Sequence, residues 1–337
     1  MKKTITAVAL VALAVVACVS GYKLVSTLVD YRAASDFYGG VAQSYVVSRE
    51  PEPSSGEEAA PSETVEFGTG AVIGSKVESD AFVSSAAVGD ASPGVASDRA
   101  ALPPRSTEEQ PPLAVDFEGL RAINSDVVGW IYCADTQINY PVLQGRDNQQ
   151  YLHRMLNGGY SASGSIFLDS LCNPAFRGDN ALLYGHHMKN GSMFAGLSLF
   201  GKQEYFDAHP CMWLLTPEGN YRIDLFAGFL CKPDDWVYYV TFADTAEKEA
   251  YIRRALDLSQ VKSAKIPSPL ERLITLSTCD YTFKDARFVL LGTLTPTMSP
   301  VAADAAAIAA RGDELSQRIE SIAHWLNRMD RPGRDAE

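Results

Sequence analysis

Cys279 ends the stretch Thr275-Leu276-Ser277-Thr278-Cys279, and Arg287 follows after a short polar segment from Asp280 to Ala286. The apolar run Leu273-Ile274-Thr275-Leu276 leads into the cysteine, and a second run, Phe288-Val289-Leu290-Leu291, leaves from the arginine. Two strands joined by so short a connection would place Arg287 beside Cys279. A thiol next to a guanidinium supplies two needs of acyl transfer: a sulfur nucleophile and a fixed positive charge for a developing oxyanion. Thiolate is the attacking form, and neighbouring positive charge favours it. The missing element is a base. Ala181-Leu182-Leu183-Tyr184-Gly185-His186 places a histidine just past another strand-like run, with His187 directly after it.

This trio and its surroundings resemble the sortases, specifically their class B branch. The resemblance rests on Thr275 to Cys279, on Asp285-Ala286-Arg287-Phe288-Val289, and on Tyr184-Gly185-His186 followed by Gly191-Ser192-Met193-Phe194. Further matches are Asn139-Tyr140-Pro141-Val142, Asp147-Asn148 with Tyr151-Leu152, and Gly164-Ser165-Ile166-Phe167-Leu168-Asp169. They occur in the family's order between about Asp116 and Thr295.

The resemblance implies a membrane-anchored cysteine transpeptidase on the outside of a Gram-positive cell, with catalytic residues His186, Cys279 and Arg287. The family's histidine directly follows Tyr-Gly, which selects His186 and leaves His187 as a surface residue. Arginine suits the third position because its guanidinium stays charged and presents several donors in one plane. Ser277 shares a strand face with Cys279 by period-two alternation. Ser277, Asn148 and Leu152 correspond to residues lining the substrate groove in class B relatives. An aromatic segment from Cys231 to Phe242, with Trp236, Tyr238 and Tyr239, is expected near that groove. His153, His209 and His324 carry no motif and are expected to face solvent.

The expected partners are secreted proteins bearing a C-terminal sorting signal, with a peptidoglycan or pilin amine as acceptor. Two other classes share parts of the pattern. A secreted thiol protease would use the same nucleophile and base, but no Gln precedes Cys279 and the histidine comes before the cysteine. A non-catalytic wall-associated binding domain would keep the trio only as structure.

The chain of 337 residues has a formal net charge of -12, which argues against nucleic acid as a partner. Its six cysteines include no C-x-x-C pair. Those other than Cys279 read as small core residues, with disulfide pairing left open. No His, Asp or Glu cluster has metal-ligand spacing, and no cofactor is expected.

Residues 1–46 read as a signal anchor and its helical extension. Lys2 and Lys3 precede an uncharged run from Thr4 to Tyr22 long enough, at about 1.5 Å per residue, to cross about 30 Å of hydrocarbon. The lysines orient the remainder outwards. A cleaved secretory signal is the alternative, and Val15 to Cys18 also resembles a lipoprotein cleavage site after which Cys18 would be lipidated. Residues 47–113 are rich in Pro, Ser, Glu, Ala and Gly and are expected to be a disordered linker. A flexible chain of that length reaches about 45 Å, so the linker is expected to set the distance between membrane and domain.

Residues 114–297 hold the site motifs. A short helix over Phe117 to Ile123 precedes strand-like runs at Val127–Tyr132, Ile138–Leu143, Ser165–Leu168, Ala181–Tyr184, Met212–Thr216, Arg222–Leu230, Arg272–Ser277 and Arg287–Leu294. Many short strands with few helices imply a mainly β barrel or sandwich. The resemblance selects the closed sortase-type barrel, with helices packed outside, one of them within Thr245 to Leu258. Residues 298–337 read as an amphipathic helix and tail, with Leu315, Ile319, Ile322, Leu326 and Met329 on one stripe that covers part of the barrel or, alternatively, binds a partner or a second copy.

Overall fold

A computed structural model describes residues 2–49, 110–297 and 308. The expected C-terminal helix and most of the expected linker lie outside the described residues.

Eight strands form a closed barrel: β3 (Val127–Tyr132), β4 (Asn139–Leu143), β5 (Ile166–Leu168), β6 (Asn180–Tyr184), β7 (Cys211–Thr216), β8 (Gly219–Cys231), β9 (Arg272–Cys279) and β10 (Arg287–Pro296). Around the barrel the order is β10-β8-β7-β3-β4-β5-β6-β9, and β9 and β10 pair with each other to close it. Six pairings are antiparallel, whereas β4 with β5 and β6 with β9 run parallel. Strand interiors are buried almost continuously rather than on alternate positions. Residues facing inwards fill the barrel, and outward ones are covered by helices and loops. Trp130, Phe194, Phe200 and Phe288 are fully buried.

Both helices expected outside the barrel are present. Asp116 caps α2 (Phe117–Ile123) by accepting from Gly119 N–H. Asp244 caps α4 (Thr245–Leu258) from its own side chain, and α4 buries Tyr251, Ile252 and Ala255. A helix not read from the sequence, α3 (Gln203–Ala208), follows a 3-10 turn over Ala195–Gly201. His209, expected in solvent, instead packs half-buried at its end, with its ring 4.2 Å from Tyr205 and Nδ1 2.9 Å from Tyr205 O.

The N-terminal region departs most from expectation. Helix α1 runs unbroken over Lys2–Tyr45. From Leu13 to Val29 its apolar side chains are uncovered, and the helix over Leu13–Tyr45 is long and apolar enough, by length and composition, to cross a membrane. From Asp30 onward the helix docks on the barrel and buries Ala34, Tyr38 and Val41, spaced i, i+4, i+7 on one face. The chain continues into β1 (Val46–Ser48), which pairs antiparallel with β2 (Leu113–Val115).

Val47, Ser48 and Leu113, expected within the linker, are therefore paired in a sheet, and Arg49 N–H donates to Pro112 O at 2.8 Å. The segment between leaves and re-enters at one ribbon. On its N-terminal side α1 is itself docked on the barrel.

Candidate active site

Three strands bring the trio together. In the antiparallel β9–β10 pair Cys279 lies directly opposite Arg287. The parallel β6–β9 pair sets Tyr184 against Ser277, so the residues two further along each strand, His186 and Cys279, emerge at the same end of the barrel. The ladder continues past β6. Gly185 N–H donates to Ser277 O at 3.1 Å, and Thr278 Oγ1 donates to Gly185 O at 2.8 Å. A Cβ at 185 would lie 2.4 Å from Ile166 Cδ1 and 2.7 Å from Phe194 Cγ, so any side chain there forces these neighbours to shift.

His186 is held at both ends. Its backbone carbonyl accepts from Phe194 N–H at 3.0 Å, and its Nε2 lies 2.7 Å from Leu152 O. A carbonyl only accepts, so Nε2 carries the hydrogen and proton exchange is left to Nδ1. The exposed His153 ring stacks on the His186 ring, with centroids 5.5 Å apart and planes 17° off parallel. His186 sits below the ordinary histidine pKa. Burial is the main cause and the charges of His153 and Arg287 add to it, while the Leu152 bond opposes it.

His187 is not the surface residue the sequence suggested. Its Nδ1 donates to Cys279 O at 2.8 Å, and its ring meets Tyr281 edge-on at 5.1 Å. The two adjacent imidazoles thus grip different things: His186 a loop carbonyl, His187 the backbone of the cysteine.

Cys279, His186 and Arg287 line one groove of about 280 Å³, shared with Ser277, Asn148 and Leu152. Of the aromatic segment expected near it, Trp236 packs instead on Phe229 and Tyr251, whereas Tyr238 lines the groove. Some side chains are already engaged there. Ser277 Oγ pairs with Tyr238 Oη at 2.9 Å. Asn148 donates from Nδ2 to Asp169 Oδ2 at 2.7 Å and accepts from Ser170 N–H, leaving one N–H uncommitted.

Sequence reasoning gave no role to Tyr184 or Asp169. Tyr184 lines the groove and donates to Asp169 Oδ2 at 2.9 Å, while stacking on Tyr238 at 6.2 Å. Burial, then the Asp169 carboxylate, pushes the Tyr184 phenol up, so it stays a donor. The signal was available: Tyr184 follows Leu182 by two residues and is the last residue of the strand that leads to the histidine. By contrast, Cys172 and Cys231 are buried free thiols pushed up to about 11 by burial, which leaves them poor nucleophiles.

The arrangement was compared with known proteins. A family model described as the sortase domain matches residues 131–295. Sortase B of Listeria monocytogenes is 36% identical over 182 residues, covering 53% of this chain and 74% of the relative. The chain belongs to the class B sortases. Among solved structures, a Staphylococcus aureus sortase B–substrate complex superposes with a TM-score of 0.52 at 29% identity, covering 54% of this chain and 85% of that one. A sortase B complexed with triglycine superposes with a TM-score of 0.52 at 30% identity, covering 54% and 86%. Sortases are cysteine transpeptidases, and this sortase is accordingly one. Its closed eight-stranded barrel is the sortase barrel that the sequence implied.

Proposed function

We propose that this sortase cleaves the C-terminal sorting signal of secreted proteins and joins the acyl product to a cell-wall or pilin amine. The observation that carries the reading is the convergence of Cys279, His186 and Arg287 on one groove from three adjacent strands. The Cys279 thiolate attacks the scissile carbonyl, and Arg287 donates hydrogen bonds to the oxyanion that forms. Collapse breaks the C–N bond as the His186 imidazolium gives its Nδ1 proton to the leaving amine, leaving a thioester on Sγ. An incoming amine attacks the thioester, His186 takes its proton, and Sγ departs as thiolate. Ser277, Asn148 and Leu152 line the wall against which the sorting peptide lies. The substrate complex and the triglycine complex of the relatives support a peptide donor and an amine acceptor for this chain as well.

In the same reading α1 crosses the membrane between its N-terminal lysines and Val29, and residues 114–297 work outside the cell. The uncovered apolar side chains from Leu13 to Val29 support this, since they need a lipid environment.

The test is product analysis with a sorting-signal peptide and purified full-length protein. Adding a small amine, such as triglycine, is expected to divert product from acid to amide, with Cys279 labelled by a thiol probe in competition. Acid alone at every amine concentration would make the protein a thiol protease. An unreactive Cys279 and no cleavage would leave a binding domain.

A further inference from the structure

The wall of the groove behind His186 is a loop over residues 151–165 that begins next to the histidine's acceptor and ends against α1. Its internal bonds close it tightly: Ser161 N–H donates to His153 O, Gly164 N–H to Ser161 O, and Ser165 N–H to Tyr151 O. Gly164 has φ +55, and a Cβ there would stand 2.3 Å from Leu152 O. The backbone of Gly164 thus lies directly on the carbonyl that accepts from His186 Nε2.

Two side chains of α1 hold this loop from behind. Asp30 Oδ2 accepts from Ala162 N–H at 3.0 Å. Tyr38, buried to 3% exposure, donates its hydroxyl to Gly164 O at 2.8 Å. The same hydroxyl lies 2.8 Å from Ser165 Oγ, which donates to Arg154 O at 2.7 Å. The Tyr38 ring also meets Tyr140 edge-on at 5.6 Å, and Tyr140 Oη accepts from Met193 N–H, one residue before the N–H that binds His186 O.

We propose that Tyr38 is a positioning residue for His186: its hydroxyl, donating to Gly164 O, fixes Gly164 so that the Leu152 carbonyl stays aimed at the imidazole, making the anchor helix part of the catalytic framework. The proposal rests on the reading of His186 as the proton-carrying group. A buried carbonyl that loses its donor finds another partner only by moving. Gly164 packs so closely on the Leu152 carbonyl that a shift of Gly164 changes what that carbonyl rests on. Displacements of an ångström at a proton-transfer group cost rate rather than affinity. Tyr38 and Asp30 hold the loop from the helix that also enters the membrane in the reading above.

The experiment uses the full-length protein in lipid nanodiscs, with turnover counted per Cys279 titrated by a thiol probe. Tyr38→Phe keeps the ring packing and removes both hydroxyl contacts. It is expected to lower kcat by about 5- to 20-fold with KM within about twofold. It is also expected to move the His186 limb of the pH–rate profile to lower pH. That shift follows because the Leu152 carbonyl favours the imidazolium, while burial and the facing charges of His153 and Arg287 oppose it. A merely structural loss would reduce the titratable fraction and leave the limb in place.

Wild-type kcat and pH profile in Tyr38→Phe, beside an inactive His186→Ala, overturn the proposal alone. An active His186→Ala removes the reading of His186 and the proposal with it. Should Tyr38→Phe fail to fold, Tyr38→Leu removes the hydroxyl with a smaller side chain. A folded Tyr38→Leu with wild-type kcat and pH profile then overturns the proposal.

Discussion

Adjacent histidines at 186 and 187 differ in what their ring nitrogens hold. In the proposed mechanism His186 uses Nδ1 for the proton, because Nε2 is tied to Leu152 O, whereas His187 spends Nδ1 on the carbonyl of Cys279. Cys279→Ala and His186→Ala are therefore expected to abolish transfer in folded protein. His187→Ala should retain measurable turnover, since it loosens the cysteine backbone without removing the base; the reverse order would exchange the two roles. Arg287→Lys keeps charge but loses the planar fork, and kcat is expected to fall about 10²–10³-fold. Activity within a few-fold of wild type would show that guanidinium geometry is not used.

The depressed proton affinity of His186 also has a stability consequence. Between the ordinary histidine value of 6.5 and the lowered folded value, the unfolded chain binds the proton and the folded protein does not. Stability contributed here is complete above that window and falls as pH drops through it. His186→Gln should narrow the gap in unfolding midpoint between about pH 7.5 and about pH 5. An equal gap in both proteins would mean that His186 does not titrate differently on folding.

At the scale of elements, the parallel pairing of β6 with β9 does what no spacing in the sequence expresses. Strands running the same way end at the same rim, so a histidine after β6 and a cysteine ending β9 become neighbours although a long chain separates them. The approach is tight enough that any side chain at 185 forces its neighbours to shift. Gly185→Ala is expected to destabilise the fold by about 1–3 kcal/mol through forced repacking of Ile166 and Phe194. Activity should drop with it because His186 is the next residue. Denaturant midpoints with an unchanged slope would measure the first effect, and an unaltered midpoint would mean that the neighbours yield freely.

For the whole molecule, the ribbon of β1 with β2 changes the meaning of the long segment between them. Composition alone suggested a tether of about 45 Å reach, but Ser48 and Leu113 are paired neighbours, and α1 is already docked on the barrel. Replacing residues 50–109 with a short Gly-Ser turn should leave peptide turnover unchanged. Surface display of a reporter substrate should also be unchanged, because the barrel keeps its attachment to α1. Lost display with intact turnover would give the segment a role on cells. Lost turnover would mean that it contributes to the domain itself.

The sequence by itself determined the local elements: eight strand-like runs, the helices at Phe117 and Thr245, and the polar turn from Cys279 to Arg287. These follow from short-range patterning and capping, which neighbouring residues decide. It also carried the ordered motifs that assign the chain to its family and single out Cys279, His186 and Arg287. Which histidine nitrogen remains open, the engagement of Ser277 by Tyr238 and of Asn148 by Asp169, and the docking of Tyr38 behind Leu152 came only from the tertiary structure. Each depends on partners distant in sequence, set by barrel closure and strand direction. Where the two ends of the linker are held was hidden for the same reason. Composition reports what a segment can bury, whereas only pairing between Val46–Ser48 and Leu113–Val115 reports where its two ends are held.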